Sequence, residues 1–397
     1  MRRGDFMFIT TGLEFIAVLL LINAAVFWVS KKWPLKIYKY VPPVIFIFLL
    51  VVFCNTFGVW SFDNPAISGT RTTIINYMVP FMVFCISIQC DFQKMVKIGP
   101  KLLLTFLLTC VTVCVGVIAA FKLFSPVLGF EQPAESFGIY TAAYTGGIEN
   151  LYAVASAVNI SDGDLANVLL IINLLFRPWM TVLILMVPLA TAFNKWSKGD
   201  PREIDVIAAR LESGKAAQIM PASTDLFIIA GCGLGLVAAC LKAGTGLEAL
   251  VPAIPAQVWL YILVTFIGVF LGTKTQLGKT PGIELVGASL ATFALSINCA
   301  NVDLKTFANG AFFLLAGLTV HIIHAVLMCL IGKLMKLDLC TLGINSIAAI
   351  GGVSSAPVVA ACYGESYQPV SVIIAAIGSM LGTFIGLGMV NILHLLM

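Results

Sequence analysis

The chain has 397 residues, 60% of them hydrophobic and only 11% charged, with a mean hydropathy of +1.02; a soluble protein carries about 25% charged residues. A soluble enzyme, a disordered chain and a nucleic-acid binder are thereby excluded. The net charge is +4, and the Lys and Arg residues fall in short clusters between apolar stretches, as orienting loops of a membrane protein do.

A helix needs about 20 apolar residues to cross the hydrocarbon core. Uncharged apolar windows predict twelve segments at about 8–29, 42–60, 73–90, 101–124, 137–158, 165–193, 225–242, 256–273, 282–300, 309–332, 343–361 and 368–396. The expected fold is an all-α polytopic membrane protein of about eleven to thirteen spans. Met1 to Phe8 resembles the start of a signal peptide, but the apolar run continues to Val29 and ends in Lys31 and Lys32 without an A-x-A-like site, so a retained first span is expected. Cysteines such as Cys85, Cys110, Cys114, Cys232, Cys299 and Cys329 sit inside apolar runs and read as small apolar residues rather than disulfide or metal partners.

One connection is long. Residues 194–224 hold nine of the chain's 42 charged residues, five of them basic, and divide the chain into a first half (1–193), a cytoplasmic linker (194–224) and a second half (225–397). The same rule places 31–39, 94–101, 274–279 and 333–336 inside, and the loops near Asp63, Glu131, Glu248, Asp303 and Glu365 outside. Single crossings from 94–101 would leave the linker outside, so either one intervening segment does not cross exactly once or a charged loop is misassigned. The first suspect is 165–193, which carries Arg177-Pro178 near its centre, because an internal proline removes a helix hydrogen bond.

Two stretches recur. Residues 85–97, CISIQCDFQKMVK, resemble 294–305, ALSINCANVDLK, and the stretch from Thr141 to Ala155 aligns with that from Ser346 to Ala360, placing Gly146-Gly147 over Gly351-Gly352. The first pair ends on opposite sides by the basic-loop rule, the mark of an inverted repeat. Paired glycines within an apolar segment either let helices pack closely or mark an unwound turn that lines a wet cavity. Two in register, in broken helices at about 137–158 and 343–361, favour a substrate or ion site. Its expected residues are Thr145, Gly146, Gly147, Glu149 and Asn150 at one break, and Gly351, Gly352, Ser354 and Ser355 at the other.

Charges inside apolar segments cost at least about 2.5–3.5 kcal/mol, so each calls for a reason. Glu149 is expected to accept a proton, or else to pair with a basic residue. Arg177 is read as a carboxylate ligand, as a partner of Glu149 or as a loop marker. Gln89 and Asn298 hold matching places in the repeat and either line the cavity or hydrogen-bond between helices. His321 and His324 share one helix face and are expected to be packed rather than metal-binding, and Glu14 to sit near an interface.

The stretches Tyr144–Ala155 and Ile350–Ala356, with Gly378 to Gly386 downstream, resemble the domain-of-unknown-function-819 family of bacterial membrane proteins. That family is placed in the superfamily of cation/proton antiporters and anion transporters, with a fold like the bile-acid sodium symporters. The resemblance implies a multi-pass protein of the bacterial inner membrane in which two discontinuous helices cross near the midplane and a core domain moves against a panel domain. The chain departs from the family pattern. Ser-x-Asn after the first Gly pair is Ile148-Glu149-Asn150, Pro-small-Thr after the second is Val353-Ser354-Ser355, and an Asp-Asn pair is Ala166-Asn167. Glu149 would then supply the missing carboxylate.

With no GxxxxGK[ST] segment for nucleotide binding, the expected function is secondary active transport of a small polar or anionic organic solute coupled to Na⁺ or H⁺. No other cofactor and no catalytic residue or metal is expected. The rivals are a cation/proton antiporter, and an intramembrane enzyme or channel. The expected partners are the solute, the bilayer and a second copy in a homodimer, with no nucleic acid.

Overall fold

Thr11 starts the first helix with a capping box: its hydroxyl accepts from the Glu14 amide at 3.2 Å, and the Glu14 carboxylate accepts from the Thr11 amide at 3.0 Å. That exchange explains Glu14 locally, as a cap. Asn64 caps the third helix by accepting from the Ala66 amide, with Pro65 in the first turn, where a proline forfeits no hydrogen bond.

The computed structural model describes residues 9–34, 38, 43–89, 98–211, 221–251, 255–302 and 310–397, and these are mostly helical, with no strand among them. The helices are α1 (Gly12–Lys32), α2 (Pro43–Thr56), α3 (Pro65–Ser87), α4 (Pro100–Phe124), α5 (Pro133–Gly146), α6 (Ile148–Val158), α7 (Asp162–Leu185), α8 (Ala190–Ser197) and α9 (Arg202–Leu211). After the linker come α10 (Ser223–Leu250), α11 (Ala256–Lys274), α12 (Ile283–Cys299), α13 (Gly310–Met335), α14 (Leu339–Tyr363) and α15 (Gln368–His394). Among the described residues seven helices are by themselves long and apolar enough to cross a membrane, while α2 and α12 are shorter apolar helices. The chain is an all-α, multi-pass membrane protein.

Polar contacts sort the helix ends onto two faces. On the linker face, Lys101 Nζ donates to Glu203 Oε2 at 2.5 Å, the Leu339 amide to Asn194 Oδ1 at 2.8 Å, the Tyr367 hydroxyl to Asp205 Oδ1 at 2.5 Å, and Lys333 Nζ to the Trp196 carbonyl. On the opposite face, Asn64 Nδ2 donates to the Thr10 carbonyl, Trp60 Nε1 to the Ala300 carbonyl and Asn301 Nδ2 to Asp162, while His394 pairs with Glu135.

The segment carrying the first Gly pair is a hairpin. Run end to end, α5 and α6 would separate Gln132 from Ser161 by roughly 40 Å at 1.5 Å per residue. Instead the Ser161 amide donates to Gln132 Oε1 at 2.6 Å, and the Gln132 amide to Asp164 Oδ2 at 2.7 Å. Helix α14 does the same from the other side: its backbone leaves helical geometry at Gly352, and a Cβ on Gly343 would lie 3.2 Å from the Tyr363 hydroxyl. Its start and the residues after it both meet the linker.

This corrects two expectations. The interrupted segments do not run through and cross; each turns back to the face it came from. The segment that spoils the crossing count is 137–158, not 165–193: α7 runs from Asp162 to Leu185 with Pro178 inside it. With one hairpin between them, α4 leaves the linker face and α7 returns to it, so the basic residues of the linker and of Lys101 share a side.

The first hairpin is seated on α15 by small residues. A Cβ on Gly146 would lie 2.4 Å from the Gly378 carbonyl oxygen and 2.8 Å from Gly382 Cα, and one on Gly386 2.6 Å from Ala142 Cβ. Such backbone approach is how helices gain packing energy where lipid removes the hydrophobic drive.

Candidate functional site

The two hairpin tips meet. Gly147 has φ 99° and ψ 168°, and Gly352 φ 64° and ψ −164°, a region essentially restricted to glycine. A Cβ on Gly352 would lie 3.4 Å from Gly147 Cα, so the two backbones touch with nothing between them. Glu149, in the first turn of α6, lays its carboxylate over this junction: Oε2 would lie 2.5 Å from a Cβ on Gly147 and 4.0 Å from one on Gly352. Among the described residues no basic side chain forms an ion pair with it.

Asn150 has another task. Its Nδ2 donates to the Gly146 carbonyl at 2.9 Å, and its Oδ1 accepts from the Thr383 amide at 2.9 Å and the Thr383 hydroxyl at 2.6 Å. The buried amide braces the tip through Nδ2 and fastens it to α15 through Oδ1. Asn150→Ala strands the Thr383 amide and hydroxyl, each at about 1–3 kcal/mol, while the Gly146 carbonyl keeps the Ser379 hydroxyl at 3.2 Å; the variant is expected to lower the unfolding temperature of the purified protein clearly in a thermal-shift measurement. An unchanged temperature would mean that the amide does not hold the tip.

The remaining predicted residues fall into place around this junction. The Thr145 hydroxyl is buried and donates to the Thr141 carbonyl at 2.8 Å, within its own helix. Gly351 faces the Phe176 ring, with Ser355 Cβ beside it; the side chain of Ser354 lies outside the described residues. Arg177 is half-buried in α7 and forms no ion pair among the described residues, so the pairing with Glu149 does not occur and the helix is not a loop there. Gln89 Nε2 donates to the Cys85 carbonyl at 2.5 Å and Asn298 Nδ2 to the Ala294 carbonyl at 2.7 Å. Each amide folds back four residues onto its own helix.

His321 and His324 are hydrogen-bonded inside the bundle. His324 shares hydrogen bonds with Thr112 Oγ1 at 2.7 Å and Ser346 Oγ at 2.8 Å, and Ser346 also accepts from Trp179 Nε1 at 3.0 Å. His321 Nδ1 meets the Gly317 carbonyl at 2.8 Å. Among the described residues no group of three or more His, Cys, Asp or Glu is placed to hold a metal ion.

A cavity of about 530 Å³ enters from the face opposite the linker, lined by α3, α6, the start of α7, α11 and the end of α12. Its rim holds Asn159, Asp162 and Glu248, and it descends past Arg71 and Asn76 to Val79 and Tyr152. Tyr152 is one helical turn from Glu149 on α6, so the floor of the cavity approaches the tips. The size suits a small ligand. Of the expected residues only Asn298 lines it. Arg71, Tyr152, Asp162 and Gln257 were not anticipated; the capping signal Asn64-Pro65 would have put Arg71 inside a helix rather than in a loop.

Compared with known proteins, residues 17–396 match the model of a family described as "Protein of unknown function (DUF819)". No curated protein matches the chain.

Proposed function

Because this chain belongs to the DUF819 family, whose description assigns no activity, we propose from the geometry that it is a secondary active transporter of a small polar or anionic organic solute, driven by Na⁺ or H⁺. The observation that carries this reading is the pair of hairpins entering from opposite faces and meeting at Gly147 and Gly352, with Glu149 over the junction and a solvent cavity descending toward it.

The topology supports it. Ten single helices joining the two faces among the described residues, five before the linker and five after, make ten crossings and two re-entrant hairpins. An odd number of crossings per half turns the second half upside down, which supports an inverted repeat. The amides Gln89 and Asn298, folded back in the same way at the ends of α3 and α12, are a repeat-related pair. Lys101 and Lys333 lie at the linker face, which the positive-inside rule makes cytoplasmic. The cavity is then open to the outside and closed to the inside at the tips. We place the protein in the bacterial inner membrane, with α3, α11 and α12 forming a panel against which the hairpins, α7 and α15 move. Glu149 takes the coupling cation or proton.

The test is uptake into proteoliposomes of the purified full-length protein under imposed Na⁺ or H⁺ gradients. Saturable uptake that collapses when the gradient is dissipated is expected. Non-saturating flux that ignores the gradient would replace the carrier by a channel, and conversion of a solute without its movement would favour an enzyme.

A further inference from the structure

Arg71 is held from one side only. On α3, its Nε donates to the Ile297 carbonyl at 3.0 Å, and its Nη2 donates to Asp162 Oδ1 and, at 3.4 Å, to the Asn298 carbonyl. The guanidinium carbon lies 5.5 Å from the Phe62 ring centroid. Nη1 makes no hydrogen bond among the described residues, although Arg71 lines the cavity. Two further groups on that lining lack partners. Gln257 donates through Nε2 to Asn76 Oδ1 at 3.3 Å, which leaves its buried Oε1 without a donor, and the Tyr152 hydroxyl is buried with no partner. The cavity therefore presents a fixed cationic donor, and its wall holds an unsatisfied acceptor. Buried polar groups left in that state cost free energy until something occupies them.

We propose that Arg71 Nη1 recognises the carboxylate of the solute, that Asp162 is the resident counter-ion which this carboxylate displaces, and that the solute is a small carboxylic acid bearing a hydroxyl or amino group. The planar guanidinium fork suits a carboxylate, and Gln257 Oε1 accepts from the solute's hydroxyl or ammonium. Asp162 can give way because it keeps two other stabilising contacts. Asn301 Nδ2 donates to its second oxygen at 2.6 Å, and it stands in the first turn of α7, where a negative charge is favourable. Displacement has a mechanical result as well: the Arg71–Asp162 pair ties α3 to α7, and replacing it with a mobile ligand frees one against the other. The inference rests on the transporter reading for its place in a transport cycle, but not for the binding itself.

The experiment is titration calorimetry of the full-length protein in detergent with lactate, alanine, lactamide, alaninamide and inorganic phosphate at matched ionic strength. Lactate or alanine is expected to bind at least about tenfold tighter than its amide, the loss of one charge-assisted contact. Arg71→Gln should remove that preference, and Asp162→Asn should tighten carboxylate binding about tenfold by withdrawing the competitor. Equal affinity for acid and amide, binding of phosphate alone, no carboxylate binding even to Asp162→Asn, or an Asp162→Asn variant weakened like Arg71→Gln would each overturn the proposal. Should Arg71→Gln not fold, the acid-to-amide ratio and Asp162→Asn decide the matter. Binding with this pattern but no uptake would remove the transporter reading and leave the recognition site standing; uptake without carboxylate preference would do the reverse.

Discussion

Glu149→Gln is expected to lower gradient-driven uptake by about a hundredfold or more while leaving the protein folded. The substitution keeps the shape of the side chain and removes only its charge, and losing one charge from an ion site of low dielectric costs on the order of 3 kcal/mol, or about a hundredfold. Stability should not suffer, because no basic side chain is paired with this carboxylate among the described residues. Burying a neutral amide in place of an acid relieves a cost instead. Two measurements separate coupling from collapse. Solute exchange at equal concentrations on both sides should survive better than uphill uptake, and the thermal unfolding temperature should hold or rise. Uphill uptake with the wild-type dependence on Na⁺ and pH would remove Glu149 from the coupling role.

The second large effect belongs to the tips. Gly147→Ala and Gly352→Ala each force a side chain into backbone geometry that costs about 1–3 kcal/mol. At Gly352 the new methyl also meets Gly147 Cα at 3.4 Å, and at Gly147 it meets Glu149 Oε2 at 2.5 Å, so relief must come from the carboxylate moving away. Both variants should unfold at lower temperature and transport poorly. The double variant should cost more than the sum, since the two methyls press on one junction. Gly231→Ala is the control: nothing lies within 4 Å of the added Cβ, and a helical alanine should match or improve stability. A double variant that behaved as two independent losses would mean that the tips are not in register.

The all-helical, multi-pass character was legible because lipid demands long uncharged runs. The path of the chain within 137–158 was not. A hairpin with arms of 14 and 11 residues has the composition and total length of one crossing helix, so hydropathy cannot tell them apart. What betrayed it was charge: Lys101 and the basic linker could share a face only if something between them turned back. The suspicion settled on Arg177-Pro178 because proline is the familiar helix breaker, yet α7 tolerates Pro178 while a Gly pair reverses the chain. At the site, Gly147, Gly352 and Glu149 were visible as pattern breaks in an apolar run. Asn150 was visible too, but its use in fastening α15 was not, because Thr383 is far away in sequence. Arg71 escaped because its helix begins earlier than the apolar window, and a basic residue just outside such a window reads as a loop.

The packing of the first hairpin against Gly378, Gly382 and Gly386 bears on how the protein is made. Arms of 14 and 11 residues are too short to be threaded across the bilayer as a stable pair of spans, and their seat is a groove on α15, more than two hundred residues further along the chain. During synthesis the hairpin can pack on α3, α4 and α7 of its own half, but it gains this glycine-lined seat only when α15 is inserted. A nascent chain halted before α15 would present the unfastened tip, with its Gly pair and carboxylate, to quality-control proteases that act in the membrane.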